Sequence, residues 1–490
     1  MNNVLPLRQS QPTRLLVVGN GMATAKLLDE LVAGNDLHRF EITVVGEEPH
    51  PAYNRILIHK VMLGADPATI VMKDRAWCER HRIDLRTGTR VFRLDTERRE
   101  AHCSRGLKIQ YDEVVLATGS RAVLPPIEGV REDDSLKQGV FLLRTIGDGQ
   151  EIREAVRVGT QAVVVGGGLL GLEAAKALVD LGARVTVVHR PAGLMERQLD
   201  TAAGRMLAAR LRMLGIDSVG EHQVRLVHGG TAVSGVELDD GSLLPCSVLL
   251  IACGVQSRVD VARASGIPVN RAIRVDDMMS VPGIPGTYAV GECAEHRRDV
   301  YGTVAPIYEQ VRVLARVLTG RPTSGFSGAR VYTRLKVASV DVASMGALDG
   351  TRADDEVLVV TEPRRLVYKK LVIRDGRLIG AQFVGDATVA ARVLQMWDRA
   401  EPLPRHRLDV LCSEDILFGP SGTGGDAEVC NCHRVPESTI GRAIDEGCRT
   451  VEELSARTGA GTGCGSCRGE LGRLLSVRRG ASSPAAAAAS

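Results

Sequence analysis

Four cysteines near the end of the chain stand as two close pairs, Cys430-Asn-Cys432 and Cys464-Gly-Ser-Cys467. Brought together, the pairs offer four thiolates, enough for a [2Fe–2S] cluster or for a tetrahedral zinc ion. The Cys-x-Cys spacing is uncommon in structural zinc sites, so we favour the cluster, with zinc as the alternative. Cys430, Cys432, Cys464 and Cys467 are therefore predicted to be the metal ligands.

Two neighbours of these cysteines have other expected roles. Cys448 lies between the pairs, and we predict that it is a core residue of a helix. His433 follows a predicted ligand, and we expect it to be solvated or hydrogen-bonded rather than to bind the metal. Small residues around Cys464 would let backbone amides approach the sulfurs and tune the potential of a cluster.

A first glycine-rich turn, Gly19-Asn-Gly21-Met-Ala-Thr24, follows an apolar strand and opens a helix. Gly19 and Gly21 would let the backbone approach a pyrophosphate at the helix N-terminus. Thr24 replaces the usual Gly or Ala of this motif, so an ordinary glycine turn is the alternative interpretation. Glu47 (or Glu48) follows the second strand, where an acidic residue binds a ribose 2′-hydroxyl.

A second glycine-rich turn has the full dinucleotide-binding spacing, with Gly166, Gly168 and Gly171. Glu173 is expected in the first turn of the following helix, where the helix dipole favours a carboxylate with or without a functional role. The acidic residue expected after the second strand is missing, and His189-Arg190 stands there. Arg190 would suit the 2′-phosphate of NADPH or would be a surface residue, which leaves the choice between NADH and NADPH open.

The elements around both turns alternate between short apolar strands and helices, a pattern typical of a parallel sheet covered on both faces. We therefore predict an α/β protein with two Rossmann-like domains. From about 332 to 394 the strands alternate in polarity, and a hairpin is predicted around Arg374-Asp-Gly. The expected segments are a FAD-binding domain in two parts (12–120 and 253–322), an inserted NAD(P)-binding domain (121–252), a small α+β domain (325–410), a linker (411–427), a helical [2Fe–2S] domain (428–475) and a disordered tail (476–490).

The composition of the chain indicates which classes of partner and which compartment to expect. The net charge of +3 gives no reason to expect nucleic acid or an anionic membrane as the main partner. No apolar run approaches the roughly 20 residues that span a bilayer. The N-terminal residues do not resemble a signal peptide. We expect a cytoplasmic protein whose 11 cysteines are reduced or metal-bound.

Both glycine turns, followed in order by Ala117-Thr-Gly119 and Val290-Gly-Glu292, resemble the pyridine nucleotide–disulfide oxidoreductase superfamily. The resemblance implies that Thr118 and Gly119 line a flavin site and that Glu292, in place of the more common Asp, holds the ribityl chain. No Cys-x-x-x-x-Cys pair follows either glycine turn, so the disulfide reductase branch is not expected.

The segment Tyr53-Asn-Arg-Ile-Leu-Ile-His-Lys60 resembles the rubredoxin and ferredoxin reductase branch. That resemblance implies that Arg55 and Lys60 lie at the flavin, although Lys60 would also fit a solvated helix surface. Lys60 and Glu173 are predicted as the catalytic residues.

Longer motifs make the resemblance more specific: Leu194-Met-Glu-Arg-Gln-Leu-Asp200 and Tyr301-Gly-Thr-Val-Ala-Pro-Ile-Tyr-Glu-Gln310. With the turns above, they are similar to the N-terminal half of assimilatory nitrite reductase large subunits and to the electron-transfer (NAD(P)H dehydrogenase) subunits of bacterial assimilatory nitrate reductases. The cysteine segment resembles the bacterioferritin-associated-ferredoxin type of [2Fe–2S] domain.

These resemblances imply a flavoprotein reductase that takes hydride from NADH or NADPH onto FAD and passes single electrons to a [2Fe–2S] cluster. No sirohaem motif is recognised, so a separate redox partner protein is expected. The preferred partner is a molybdopterin nitrate reductase catalytic subunit, and a sirohaem nitrite reductase is the second choice. An iron-delivery or cluster-carrier binding module is the alternative from another class.

Overall fold

The computed structural model describes residues 11–335, 340–412, 428–465 and 467–481. Chain contacts divide them into two compact units. The first unit comprises the described part of Met1–Arg55 together with Ala68–Arg121 and Gln256–Ala329. The second comprises Ile56–Pro67, Ala122–Val255 and the described residues from Arg330 onward.

The first unit is built on a parallel five-stranded sheet. Its strands are β1 (Thr13–Val18), β2 (Phe40–Val45), β5 (Asp84–Arg86), β9 (Glu113–Leu116) and β23 (Thr287–Ala289), in the order β23-β9-β1-β2-β5. The four residues Leu15 to Val18 are all buried, as expected for a strand covered on both faces. Helices α1 (Met22–Ala33) and α8 (Val304–Leu318) pack against each other, and their buried leucines belong to the same apolar core as β1.

Smaller elements complete this unit. They are β3 (Ala52–Tyr53), β4 (Val71–Lys73), α3 (Arg75–Arg80), β6 (Val91–Asp95), β7 (Glu100–Cys103), β8 (Lys108–Gln110), α7 (Asp260–Ala264), β22 (Ile273–Val275) and β24 (Ala294–His296). Strands β10 (Ser120–Ala122) and β21 (Val255–Ser257) lie where the chain passes from one unit to the other.

The second unit repeats the pattern with another parallel sheet. Its strands are β13 (Val140–Leu142), β14 (Gln161–Val165), β15 (Arg184–His189), β16 (Ile216–Gly220) and β20 (Val248–Ile251), in the order β13-β20-β14-β15-β16. The helices of this part are α2 (Ile58–Met62), α4 (Ile146–Ala155), α5 (Leu169–Asp180) and α6 (Thr201–Met213). Helix α2 packs against α4 and α5.

The same unit carries antiparallel elements. The short strands are β11 (Arg131–Glu132), β12 (Ser135–Leu136), β17 (Val224–His228), β18 (Gly235–Leu238) and β19 (Leu243–Pro245). A later sheet contains β25 (Tyr332–Leu335), β26 (Val342–Gly346), β27 (Glu356–Glu362), β28 (Val367–Arg374) and β29 (Arg377–Val384), with α9 (Ala390–Asp398) packed on β29. The predicted hairpin is the β28–β29 pair, and its turn residues Asp375 (φ +50°) and Gly376 (φ +67°) both adopt the left-handed conformation that a type I′ turn requires.

The last described segment is helical. A short pair, β30 (Glu428–Cys430) and β31 (Val435–Pro436), precedes α10 (Glu437–Asp445), α11 (Val451–Thr458) and α12 (Arg468–Ala481). Residues 476–481 belong to α12 rather than to the disordered tail predicted for them. Most of the predicted linker, from 413 to 427, and the tail from 482 onward lie outside the described residues.

The predicted fold class is confirmed: an α/β chain with two Rossmann-like sheets, a small α+β domain and a C-terminal helical domain. The exact domain boundaries remain predictions. Within the described parts of the chain, no helix is long and apolar enough to cross a membrane.

Candidate functional site

The first glycine turn lies at the carboxyl end of β1, where α1 begins. Gly19 has φ +114°, and a Cβ there would lie 2.1 Å from the carbonyl oxygen of Ala117, so only glycine fits. Gly21 is the N-cap of α1, and a Cβ at this position would meet nothing within 4 Å. The turn therefore leaves an open cradle at the helix N-terminus, which suits a pyrophosphate.

Thr24, the departure from the glycine motif, has a clear structural role. Its side chain is buried, with 1% of its surface exposed, and its hydroxyl donates a hydrogen bond of 2.6 Å to the carbonyl oxygen of Gly19. The threonine therefore fastens the turn instead of disturbing it. Sequence reasoning missed this role because a hydroxyl that bonds five residues back leaves no signal in a motif defined by glycine spacing.

Glu47 and Glu48 have different surroundings. Glu47 is exposed and accepts a hydrogen bond of 2.6 Å from Arg258 Nη1. The Thr118 hydroxyl in turn donates a hydrogen bond of 2.7 Å to the backbone carbonyl oxygen of Arg258. Glu47 thus keeps a carboxylate at the end of β2, as a ribose ligand requires. The hydroxyl of Thr118 holds Arg258, a contact that the sequence did not indicate.

Glu48 belongs to a network with Tyr53 and Arg55. The Tyr53 hydroxyl donates to Glu48 Oε2 at 2.6 Å and accepts from Arg55 Nη1 at 2.7 Å, and Arg55 Nη2 also bonds Glu48. Burial alone would raise the pKa of Glu48, but the charge of Arg55 and the Tyr53 hydrogen bond outweigh it and keep this pKa below its usual value. Arg55 is thereby held in place as a cation.

Gly119 and Glu292 face each other in the same unit. Gly119 has φ +67°, and the first atom a Cβ would meet there is Glu292 Oε2, at 4.0 Å. The Glu292 carboxylate accepts a hydrogen bond of 2.7 Å from the Ser120 hydroxyl, and its backbone carbonyl accepts one of 2.6 Å from Ser257. A fixed carboxylate beside open backbone fits the hydroxyl-rich chain of a flavin cofactor, so the residues present suit FAD.

The second glycine turn has matching geometry. Gly166 has φ +114°, and a Cβ there would lie 2.4 Å from the Ala252 carbonyl oxygen. At Gly171 a Cβ would lie 2.0 Å from the Gly166 carbonyl oxygen, so only glycine lets α5 approach β14 this closely. Gly168 is the N-cap of α5, and a Cβ there would meet nothing within 4 Å, which again leaves a cradle for a pyrophosphate.

Three other predicted residues lie on helices or at strand ends of the second unit. Glu173 is not in the first turn of α5, which begins at Leu169 and has no acidic residue there. The dipole argument therefore does not apply, because that effect falls off within one turn. Arg190 is exposed directly after β15, and Lys60 is exposed on α2. The roles proposed for these three side chains stay predictions.

The four predicted ligand cysteines converge in the C-terminal domain. Cys430 Sγ lies 3.8 Å from Cys432 Sγ, too far for a disulfide, and none of the four cysteines, all within the described residues, is in a disulfide. Cys430 also contacts Cys467, and Cys432 contacts Cys464. Cys430, Cys432 and Cys467 are buried and Cys464 is partly buried, so the sulfurs form one small site with limited access to solvent.

The electrostatics of this site suit a cation. Hydrogen bonds from the Cys432 and Cys467 thiols, with further ones from the amides of Gly461 and His433, lower the pKa of Cys430. The neighbouring Cys430 sulfur raises the pKa of Cys432 and of Cys467. Full ionisation of neighbouring sulfurs requires positive charge among them, which iron would supply.

The surroundings of the cysteines are tightly packed. A Cβ at Gly463 would lie 2.8 Å from Cys432 Sγ and 2.9 Å from His433 Nε2. His433 Nε2 lies 3.2 Å from the Thr462 hydroxyl, in agreement with the predicted hydrogen-bonding role. Cys448 is buried as predicted, but it lies in the turn between α10 and α11 rather than in a helix.

Comparison with known proteins agrees with this geometry. The sequence profile described as pyridine nucleotide-disulphide oxidoreductase matches residues 13–313. The chain belongs to this family. The profile of a BFD-like [2Fe-2S] binding domain matches residues 428–476, and that of a rubredoxin NAD+ reductase C-terminal domain matches 332–399.

Membership of the pyridine nucleotide-disulphide oxidoreductase family identifies the chain as an NAD(P)H oxidoreductase. Its cofactors are FAD and a nicotinamide dinucleotide, and the C-terminal match adds a [2Fe–2S] cluster.

Relatives in Bacillus subtilis (strain 168) extend the likeness over nearly the whole chain. The chain is 38% identical to "Nitrite reductase [NAD(P)H]" over 94% of its own length and 57% of that protein. It is 35% identical to "Assimilatory nitrate reductase electron transfer subunit" over 94% of its own length and 59% of that protein. It thus spans less than two thirds of either relative.

A solved structure shows the same fold. The covalent complex of putidaredoxin reductase with putidaredoxin contains a chain that superposes with a TM-score of 0.72 at 21% identity, covering 83% of this chain and 97% of that one.

Proposed function

We propose that this protein carries electrons from NADH or NADPH through FAD to a [2Fe–2S] cluster bound by Cys430, Cys432, Cys464 and Cys467, and from there to a redox partner protein. The observation that carries the proposal is the convergence of four cysteine sulfurs that form no disulfide, in a chain that also has two dinucleotide cradles.

The residues of the first unit are assigned to FAD. The Gly19–Gly21 turn receives the pyrophosphate, Glu47 binds the adenosine ribose, and Glu292 binds the ribityl chain. Arg55 supplies positive charge, and the backbone at Thr118 and Gly119 lines the flavin. The domain boundaries given from the sequence, 12–120 with 253–322 for this domain, belong to the proposal.

The residues of the second unit are assigned to the nicotinamide dinucleotide. Gly166, Gly168 and Gly171 receive its pyrophosphate, with Arg190 close to the end of β15. When bound, FAD accepts the two electrons of a hydride and releases them singly, and a [2Fe–2S] cluster takes one electron at a time.

The partner we propose is the catalytic subunit of an assimilatory nitrate reductase, because one relative is named as the electron-transfer subunit of that enzyme. The proposed location of the protein is the cytoplasm. A sirohaem nitrite reductase is the second candidate, favoured by the 38% identity to a nitrite reductase.

The test begins with protein purified anaerobically and titrated with NADH and with NADPH while its visible spectrum is recorded. Bleaching of the flavin bands followed by bleaching of the broad iron–sulfur absorbance would support the route. Flavin without iron would contradict the route, because the four cysteines would then hold something else. A cluster that stays oxidised beside reduced flavin would also contradict it and would favour the cluster-carrier alternative. Reduction of purified nitrate reductase and nitrite reductase subunits then distinguishes the two partners.

A further inference from the structure

The end of β15 lacks the acidic residue that usually selects the dinucleotide, and His189 occupies this place. The imidazole is 7% exposed and lies against the second glycine turn, because a Cβ at Gly167 would be 2.8 Å from His189 Cγ. Its Nδ1 accepts a hydrogen bond of 3.0 Å from the Gly167 amide. An Nδ1 that accepts from an amide carries no proton, so in the neutral ring the proton is on Nε2.

This Nε2 points to an acidic residue from elsewhere in the chain. Glu196 Oε2 lies 3.1 Å from His189 Nε2. Nε2 itself is buried, and the contact holds the Glu196 carboxylate beside the ring. The Glu196 side chain is 43% exposed, which leaves its carboxylate accessible to a ligand.

The loop that carries Glu196 is fastened to the glycine turn. The amide of Met195 donates to the Gly167 carbonyl at 3.0 Å, and the amides of Gln198 and Leu199 both donate to the Met195 carbonyl at 2.8 Å. Met195 is fully buried and adopts φ +57°, a conformation that costs energy in a residue other than glycine. The buried, strained Met195 fixes the direction in which the next residue leaves the core, so Glu196 is delivered beside His189.

We propose that Glu196, positioned by His189, accepts the 2′-hydroxyl of the adenosine ribose and makes NADH rather than NADPH the dinucleotide of the second Rossmann domain. This inference rests on the proposed function. The ribose 2′-hydroxyl donates to the exposed Glu196 carboxylate, whose Oε2 lies 3.1 Å from His189 Nε2. A 2′-phosphate would bring a second negative charge against that carboxylate. Arg190 is exposed directly after β15 and would counter part of this repulsion, so the binding comparison below measures the balance between the two charges.

The decisive measurement is calorimetric binding of two non-reducing fragments, ADP-ribose and its 2′-phosphorylated form, to flavin-loaded protein. We expect the wild type to bind ADP-ribose at least about tenfold more tightly, and E196Q to lose most of this difference. E196K should reverse the preference. E151Q, at an exposed glutamate on α4 of the same unit, is the matched control and should match the wild type.

Steady-state KM values for NADH and NADPH should follow the same order, with little change in kcat for NADH. A wild type that prefers the 2′-phosphate, or an E196Q variant with the selectivity of E151Q, would overturn the inference. Fragment binding needs no electron transfer, so a failure of the inference can be distinguished from a failure of the proposed function. If neither NADH nor NADPH bleaches the flavin, the proposed function fails even where the fragments bind as expected.

Discussion

Single side chains decide how closely the backbone of this protein can approach a cofactor. Gly19 and Gly171 are required because a Cβ at either position would lie 2.1 Å or less from a carbonyl oxygen. Thr24 contributes in a different way, since its buried hydroxyl ties down the carbonyl of Gly19. The glycine turns therefore depend on positions that cannot carry a side chain and, at Thr24, on a side-chain hydrogen bond.

Replacing Thr24 by valine tests that hydrogen bond. T24V keeps the volume but leaves the Gly19 carbonyl without its 2.6 Å partner, so we expect a loss of about 1 kcal/mol in FAD binding. Equilibrium release of flavin, followed by its fluorescence, measures the change. T24S keeps the hydroxyl and should bind FAD as the wild type does, and equal affinity in T24V would show that the bond is not needed.

Gly463 offers a second test at this scale. A Cβ at Gly463 would lie 2.8 Å from Cys432 Sγ, so G463A must displace a ligand, at a cost of about 1–3 kcal/mol. We expect purified G463A to contain far less iron per chain than the wild type. G469A is the control, because a Cβ at Gly469 on α12 meets nothing within 4 Å. Full iron content in G463A would contradict the packing argument.

At the scale of elements, the 194–200 segment fastens the small α+β domain to the second Rossmann sheet. Asp200 accepts from Tyr368 at 2.7 Å and from Lys370 at 2.8 Å, both on β28, while its amide donates to Gln382 on β29 at 2.7 Å. Ser344 on β26 also bonds the Gln198 carbonyl. A motif recognised from family resemblance thus has a structural role between two parts of one unit.

The variant D200N isolates the ion pair, because asparagine can still cap α6. Removing the charge leaves Lys370, whose side chain is 5% exposed, with Asp349 at 3.2 Å as its remaining carboxylate among the described residues. We expect a loss of about 2 kcal/mol in stability, less than the full cost of breaking a buried pair, because Asp349 remains. Urea unfolding followed by Trp397 fluorescence in a W77F background measures it. D180N, which removes an exposed i,i+4 pair on α5, should have little effect.

The stability difference between the wild type and D200N should depend on pH in a predictable direction. Burial raises the pKa of Asp200, but hydrogen bonds from the Ala203 amide, Lys370 and Tyr368 outweigh it and leave the pKa below its usual value. A carboxyl group whose pKa is lower in the folded than in the unfolded protein stabilises the folded state. This stabilisation is complete at pH values above the unfolded pKa of about 3.9, and it is lost as the pH falls through the folded pKa. The difference between wild type and D200N should therefore be constant near neutrality and shrink below about pH 4. A difference that grows with acid would exclude the ion pair as its cause.

For the whole molecule, the proposed role requires that electrons leave through the cluster and not directly from the flavin. C464S removes one ligand from a partly buried position and should abolish the cluster. We expect unchanged flavin reduction by the preferred nicotinamide and a loss of most cytochrome c reduction, both measured by stopped-flow absorbance. C448S, at a buried cysteine outside the ligand set, should retain both activities. Undiminished cytochrome c reduction in C464S would place the exit at the flavin.

The sequence by itself determined the local features of this protein. Apolar runs such as Leu15–Val18, glycine spacing at Gly166 to Gly171 and the Asp-Gly turn at 375–376 predicted strands, cradles and a hairpin, because each depends on backbone conformation over a few residues. The spacing of the two cysteine pairs likewise predicted a metal centre.

Only the tertiary structure decided which side chains complete those features. Glu196 beside His189, Arg258 beside Glu47 and Lys370 beside Asp200 are pairs of residues distant in sequence or on different elements. No periodicity records them, because such contacts depend on how strands and loops are ordered in space. The prediction of Glu173 in a first helical turn was wrong for a different reason: the helix begins at Leu169, so Glu173 is its fifth residue and lies beyond the first turn.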